Sequence, residues 1–232
     1  MQFDVETVNS ILGIDDAYKA PDKIMELISD EETRETLFKK FLNVSSDLSF
    51  DWFHQYFEDE QAQRKKMKQD FTPDSVARLL SRVVNADIAR VSKMNDDGTK
   101  TYFEPTAGTG GILISHWDYD RKNDALIFKG KNGNHQLPKW ASVLTYDPRR
   151  YWYQAEEMSD RAVPFLLFNM SIRGMNGVVI QCDALTRQTK NIWFIRNDTP
   201  DSERFSEIIK LPHTELWAKE FNVAEWVTDF NQ

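Results

Sequence analysis

The segment Tyr102-Phe-Glu-Pro-Thr-Ala-Gly-Thr-Gly-Gly-Ile112 restricts the possible folds more than any other stretch of this chain. Thr101 to Phe103 reads as a short β-strand, and Ile112, Leu113 and Ile114 read as the start of an apolar helix. Between them Gly108, Gly110 and Gly111 carry no Cβ, so the backbone can turn tightly and approach a bound molecule. A glycine loop of this length also occurs as an ordinary tight turn, so its surroundings in the chain decide how it is read.

Those surroundings alternate. Tyr151 to Glu157, Gly177 to Cys182 and Asn191 to Ile195 read as further strands, with a helix from Ser159 to Ser171 closed by Arg173-Gly174. Strand–helix alternation predicts an α/β fold with a parallel, doubly wound sheet and a ligand at the carboxyl ends of its strands. Residues 1–68 read as a helical N-terminal region, with Pro21 at a helix start and a break at Ser45-Ser46-Asp47. Trp52, Phe53, Tyr56 and Phe57 have the spacing of a packed helix face rather than a base-stacking platform. Residues 69–232 form the second unit, in which a helix follows Pro73 and a charged insertion at about 118–150 carries a small hairpin beginning near Ala125. Glu215 to Phe221 reads as a late helix and Val223 to Val227 as a last strand.

Composition narrows the class. Of 232 residues 41% are hydrophobic, including seven Trp and fifteen Phe, which is ample for a buried core. One cysteine, Cys182, excludes an internal disulfide framework and suits a reducing cytoplasm. No apolar run reaches the length of a membrane span, and the amino terminus lacks the basic and apolar pattern of a signal sequence. The histidines show no metal-ligand spacing. The net charge of −8 argues against a free-standing DNA binder, because phosphate neutralisation supplies much of such affinity. The basic cluster Arg64-Lys65-Lys66-Met67-Lys68 reads either as a solvated face balancing Glu58, Asp59 and Glu60 or as a phosphate contact.

Taken in order, Gln69-Asp70-Phe71-Thr72-Pro73, Glu104 to Gly111, Tyr153-Gln-Ala-Glu-Glu157 and Gln181-Cys-Asp183 resemble the adenine-specific (N6) DNA methyltransferases. The likeness is strongest to the modification subunit of type I restriction systems. It spans about residues 50–200. It implies a Rossmann-like S-adenosylmethionine-dependent methyltransferase sheet, here truncated, behind the helical N-terminal region. Phe71, Thr72 and Pro73 would hold the methionine end of S-adenosylmethionine. Glu104 and Thr106 would flank the loop, with Gly108 and Gly110 opening it to the cofactor. Glu156 or Glu157 would accept the ribose hydroxyls, Glu157 being favoured by spacing, and Asp183 would accept the adenine amine. Each acid has a plain structural alternative: a helix-start charge for the glutamates and a turn residue for Asp183.

The catalytic signature of that family is N-P-P-[YF] or D-P-P-Y. There a side-chain oxygen and a proline carbonyl accept the protons of the adenine amine, and an aromatic ring stacks on the flipped base. This chain reads Arg196-Asn197-Asp198-Thr199-Pro200, which keeps only Asn197 as the catalytic candidate. The expected activity is therefore S-adenosylmethionine binding, with methyl transfer to DNA adenine dependent on Asn197 and on DNA specificity supplied by another subunit. The alternative is a non-catalytic interaction or regulatory module of a restriction–modification complex, joined to a specificity-type subunit or to itself.

Overall fold

The computed structural model describes residues 3–57, 76, 79, 98–123, 127–130, 133–136, 145–201 and 203–230. The chain opens with helices α1 (Val5–Leu12), α2 (Ala20–Ile28) and α3 (Glu31–Leu42). The Asp4 carboxylate accepts the Thr7 N–H and the Asp30 carboxylate accepts the Thr33 N–H, satisfying donors that the first helical turn leaves unpaired. Pro21 stands in the first turn of α2, where its missing N–H costs nothing. Residues 54–57 are helical, and Trp52, Phe53, Tyr56 and Phe57 are all buried, so the aromatic stripe is a packed face.

Strand β1 (Lys100–Glu104) then runs into the glycine turn and helix α4 (Gly111–Asn123). The helix continues five residues past Asp118, where the sequence pattern dissolves into charge. Asp118 pairs with Arg121 and Lys122 one turn on, while His116, Trp117 and Asp120 are buried, so the charged stretch is the outer face of a helix. The expected hairpin is present as antiparallel strands β2 (Ile127–Gly130) and β3 (Gly133–Gln136). Strand β4 (Tyr151–Glu156), helix α5 (Val163–Ile172) and strand β5 (Gly177–Cys182) follow. Strands β1, β4 and β5 lie side by side and parallel, joined through α4 and α5.

Beyond β5 the sheet departs from the parallel expectation. Strand β6 (Gln188–Arg196) pairs antiparallel with β5, Gly177 facing Ile195 and Cys182 facing Thr189. The reason is chain length: residues 183–187 form a hairpin connection, whereas a parallel crossover needs a dozen residues or more. Strand β7 (Glu207–Lys210) continues antiparallel to β6, helix α6 (Glu215–Glu220) crosses the back of the sheet, and the short strand β8 (Glu225–Trp226) pairs parallel with the start of β6. The architecture is a mixed α/β sheet whose parallel part is β1-β4-β5.

All ten residues of α5 are buried. A helix that is apolar all round must be covered all round, and here the sheet lies on one side and the N-terminal helices on the other. Phe168 meets Phe38 and Phe53 edge-on at 4.7 and 4.9 Å, and Phe165 meets Phe53 at 4.7 Å. The N-terminal region and the sheet domain therefore share one core. A smaller cluster behind the sheet joins Val178, Ile180 and Ile192 to Phe221 and Trp217.

Candidate functional site

The carboxyl ends of β1, β4 and β5 converge on the glycine turn, and three N–H groups of the turn have identifiable partners. The Ala107 N–H donates to the Glu156 carbonyl at 2.7 Å, and the Gly110 N–H to the Ala107 carbonyl at 2.9 Å. The Gly108 N–H donates to Glu157 Oε2 at 2.8 Å. Thr106, Gly108 and Gly110 all have positive φ, at 60°, 59° and 98°. For the glycines this is free of strain, but a β-branched residue pays about 1–2 kcal/mol in that conformation. A Cβ on Gly110 would also come to 3.0 Å from Leu166 Cδ1, so a side chain here would meet both an unfavourable backbone angle and a tight contact with α5.

Glu157 sits just past the end of β4 with its other oxygen, Oε1, accepting the Ser159 N–H at 2.8 Å. Each carboxylate oxygen thus accepts one backbone bond and has lone-pair capacity left for a hydroxyl. Glu156 points to the opposite face of the sheet. There it pairs with Arg187 at 2.5 Å, and Arg187 also donates to the carbonyls of Phe221 and Asn222. Beside this pair burial pushes the Cys182 thiol up to about 12, so it stays protonated at neutral pH.

Glu104 is buried at the start of the turn. The Tyr102 hydroxyl donates to it at 3.1 Å, and the Leu113 N–H of α4 is a further donor, yet burial pushes its carboxyl up to about 8. Beneath it the Tyr102 ring stacks on His116 at 4.0 Å. His116 Nε2 lies 3.4 Å from Asp120, which also accepts the Tyr153 hydroxyl at 2.9 Å. Burial lowers the His116 imidazole to about 4, so it is neutral in the folded protein at physiological pH.

Asp183 lies in the β5–β6 turn. Its Oδ1 accepts the N–H groups of Leu185 and Thr186, and those bonds hold the carboxyl below its usual range. Asn197 stands at the other end of the sheet, because β6 runs backwards: the length of β5, about 17 Å at 3.3 Å per residue, separates it from the turn. Its side-chain amide donates to the carbonyls of Gly174, Asp201 and Arg204, and its oxygen accepts from Thr199. Phe71, Thr72 and Pro73 lie outside the described residues.

The structure thus brings Glu104, Thr106, Gly108, Gly110 and Glu157 around one turn. It sets Glu156 on the reverse face, Asp183 in a neighbouring hairpin and Asn197 far away. The His116–Asp120–Tyr153 group and a further buried cluster around Asp51 were not singled out in the sequence, where isolated polar residues in apolar surroundings carry no local pattern. A groove of about 620 Å³ opens elsewhere, between α2 and strands β5 to β7, lined by Asp22, Met25, Asp160, Gln181, Trp193 and Lys210 among others. Among the described residues no group of His, Cys, Asp and Glu is arranged to hold a metal ion, and no helix is long and apolar enough to cross a membrane. Comparison with known protein families, curated proteins and solved structures finds no match to this chain.

Proposed function

We propose that this chain is an S-adenosylmethionine-binding protein of the adenine-N6 DNA methyltransferase type, with the glycine turn at 104–111 and Glu157 as its cofactor contact. The observation that carries the reading is the direct bond from the Gly108 N–H to the Glu157 carboxylate at the carboxyl ends of three parallel strands. In such a sheet that edge is where ligands bind. The donor and acceptor set fits the group. Glu157 retains acceptor capacity for a ribose diol, and Gly108, bonded to it, carries no side chain and has a positive φ. Bound there, the cofactor would supply an electrophilic methyl group. The chain's own residues would orient the ribose through Glu157 and shape the cleft through the turn.

Asn197 has no place in this reading. Its amide protons and its oxygen are taken up by its own loop and by Gly174 in the turn before β5, at the far end of β5. The same observation favours a second reading, a non-catalytic interaction or regulatory module of a restriction–modification complex, in which cofactor binding has no methyl transfer attached.

Calorimetric titration of the wild-type chain and a Glu157→Gln variant with S-adenosylmethionine tests the first reading. Glutamine has one acceptor oxygen for the two backbone N–H groups that Glu157 holds, Gly108 and Ser159, and loses the charge-assisted bonds to the ribose, so affinity should fall about tenfold or more. Absence of binding by the wild type would overturn the cofactor reading. Binding without transfer of labelled methyl to DNA would favour the second.

A further inference from the structure

A buried polar cluster ties the N-terminal region to the glycine turn. Asp51, Thr109, Asn169 and Arg173 are all buried. Asp51 Oδ1 accepts the Phe53 N–H at 2.9 Å and Asn169 Nδ2 at 2.8 Å, while Oδ2 accepts the Thr109 hydroxyl. Asn169 Nδ2 also donates to the Thr109 carbonyl at 2.8 Å. Arg173 completes the group: Nη1 donates to Asn169 Oδ1 at 2.9 Å, and the guanidinium reaches the carbonyls of Leu48 and Phe50. Three separate parts of the chain meet here: the segment before the N-terminal aromatic stripe, helix α5 and the middle of the turn.

The placement of Thr109 gives the cluster its consequence. It stands between Gly108 and Gly110, two residues with no side chain to hold them, and it is tethered through both its hydroxyl and its carbonyl. Glycines have the widest conformational freedom, so a turn built from them keeps one shape only if something else fixes it. Burying an acid and an arginine is also a poor way to gain stability alone. Such groups are replaceable by apolar side chains at little or no loss, and their best-attested use is to impose one arrangement. Burial drives the Asp51 carboxyl up and the Arg173 guanidinium down to about 9, each opposed by the other's charge, which is the mark of groups held at an energetic disadvantage.

We propose that Asp51 is a positioning residue for the glycine turn: through the Thr109 hydroxyl, the docked N-terminal region holds the turn in the shape its ligand meets. The ligand part rests on the cofactor reading above; the conformational part does not. Any partner that shifts the segment 48–53 would then alter the turn, which makes the N-terminal region a control element for the site.

The test compares Thr109→Val, Thr109→Ser and Tyr56→Phe. The first removes the hydroxyl at nearly constant shape and the second restores it. The third deletes a hydroxyl bonded to Asn9 at 2.8 Å, within the N-terminal region and away from the turn. Hydrogen exchange is read at the bonded amides of Ala107, Gly108 and Gly110. Exchange there should rise about tenfold in Thr109→Val, the loss expected when a buried acceptor is left without its donor, and stay at the wild-type rate in the other two. S-adenosylmethionine affinity should fall by a similar factor in Thr109→Val alone. If the wild type binds no cofactor, the cofactor reading fails while the exchange result still decides the positioning role. Wild-type exchange at the turn in Thr109→Val overturns the proposal. So does a rise spread evenly over α1 to α3 and the sheet, which would mark a general structural staple.

Discussion

Burial pushes the Glu104 carboxyl up to about 8 although two donors face it, and lowers His116 to about 4 on the adjacent face of α4. The two shifts act on stability in different pH windows. Between about 4 and 6.5 the unfolded chain protonates its histidine while the folded chain does not, so His116 makes stability rise with pH. Between about 4.5 and 8 the folded chain keeps the Glu104 proton that the unfolded chain has lost, so Glu104 makes stability fall with pH. The opposed slopes offset each other in the acid range and leave a net fall from about pH 6.5 to 8. Glu104→Gln, which is neutral at every pH, should lessen that fall by the Glu104 share, leaving only what Asp51, an acid likewise raised by burial, contributes, and thermal melts at intervals from pH 5 to 9 would show it. A parallel decline in the variant would mean that another group carries the slope. At this scale the sequence was partly readable. Glu104, Thr106, Gly108 and Gly110 are neighbours in one turn, so their grouping is written in the chain. Asp51 was not readable, because its partners Thr109 and Asn169 lie 58 and 118 residues away.

The β5–β6 hairpin decides what the elements can do together. Strand positions were legible from apolar runs, and Gly177 to Cys182 falls where the pattern puts it. Direction was misread, since the alternation predicts a parallel fourth strand, although only eight residues separate Cys182 from Asn191, fewer than a parallel crossover needs. A motif read by its order alone hides this, since order along the chain says nothing of which end of the sheet a residue reaches. Asn197 consequently serves the loop that follows β6. Its replacement by alanine should cost about 1–3 kcal/mol of stability, because the buried Gly174 carbonyl loses its donor and the loop loses the bonds to the Asp201 and Arg204 carbonyls. S-adenosylmethionine affinity should not change. Urea unfolding beside calorimetric titration separates the two effects. A loss of affinity with unchanged stability would return Asn197 to the site.

Over the whole molecule, the boundary that the sequence suggests near residue 68 separates helices from sheet but does not separate two cores. What periodicity cannot express is that α5 is apolar on every side, so it needs a cover beyond the sheet. That cover is α2, α3 and the aromatic stripe, whose Phe38, Phe41 and Phe53 rings close on Phe165 and Phe168. A chain beginning at residue 69 would expose both phenylalanines and strip Arg173 of the Leu48 and Phe50 carbonyls. Losing the cover from even one fully buried phenylalanine forfeits about 1.5–3 kcal/mol, and domain stability is commonly about 5–15 kcal/mol in all. The truncated chain should therefore lose its cooperative melt and its near-ultraviolet circular dichroism, and bind a hydrophobic dye, while keeping helical and strand signals in the far ultraviolet. Supplying residues 1–68 as a separate chain should restore the melt if docking alone is missing. A sharp melt from residues 69–232 unaided would show instead that the sheet stands without its helical cover, and the Asp51 tether would then be an attachment between two independent bodies.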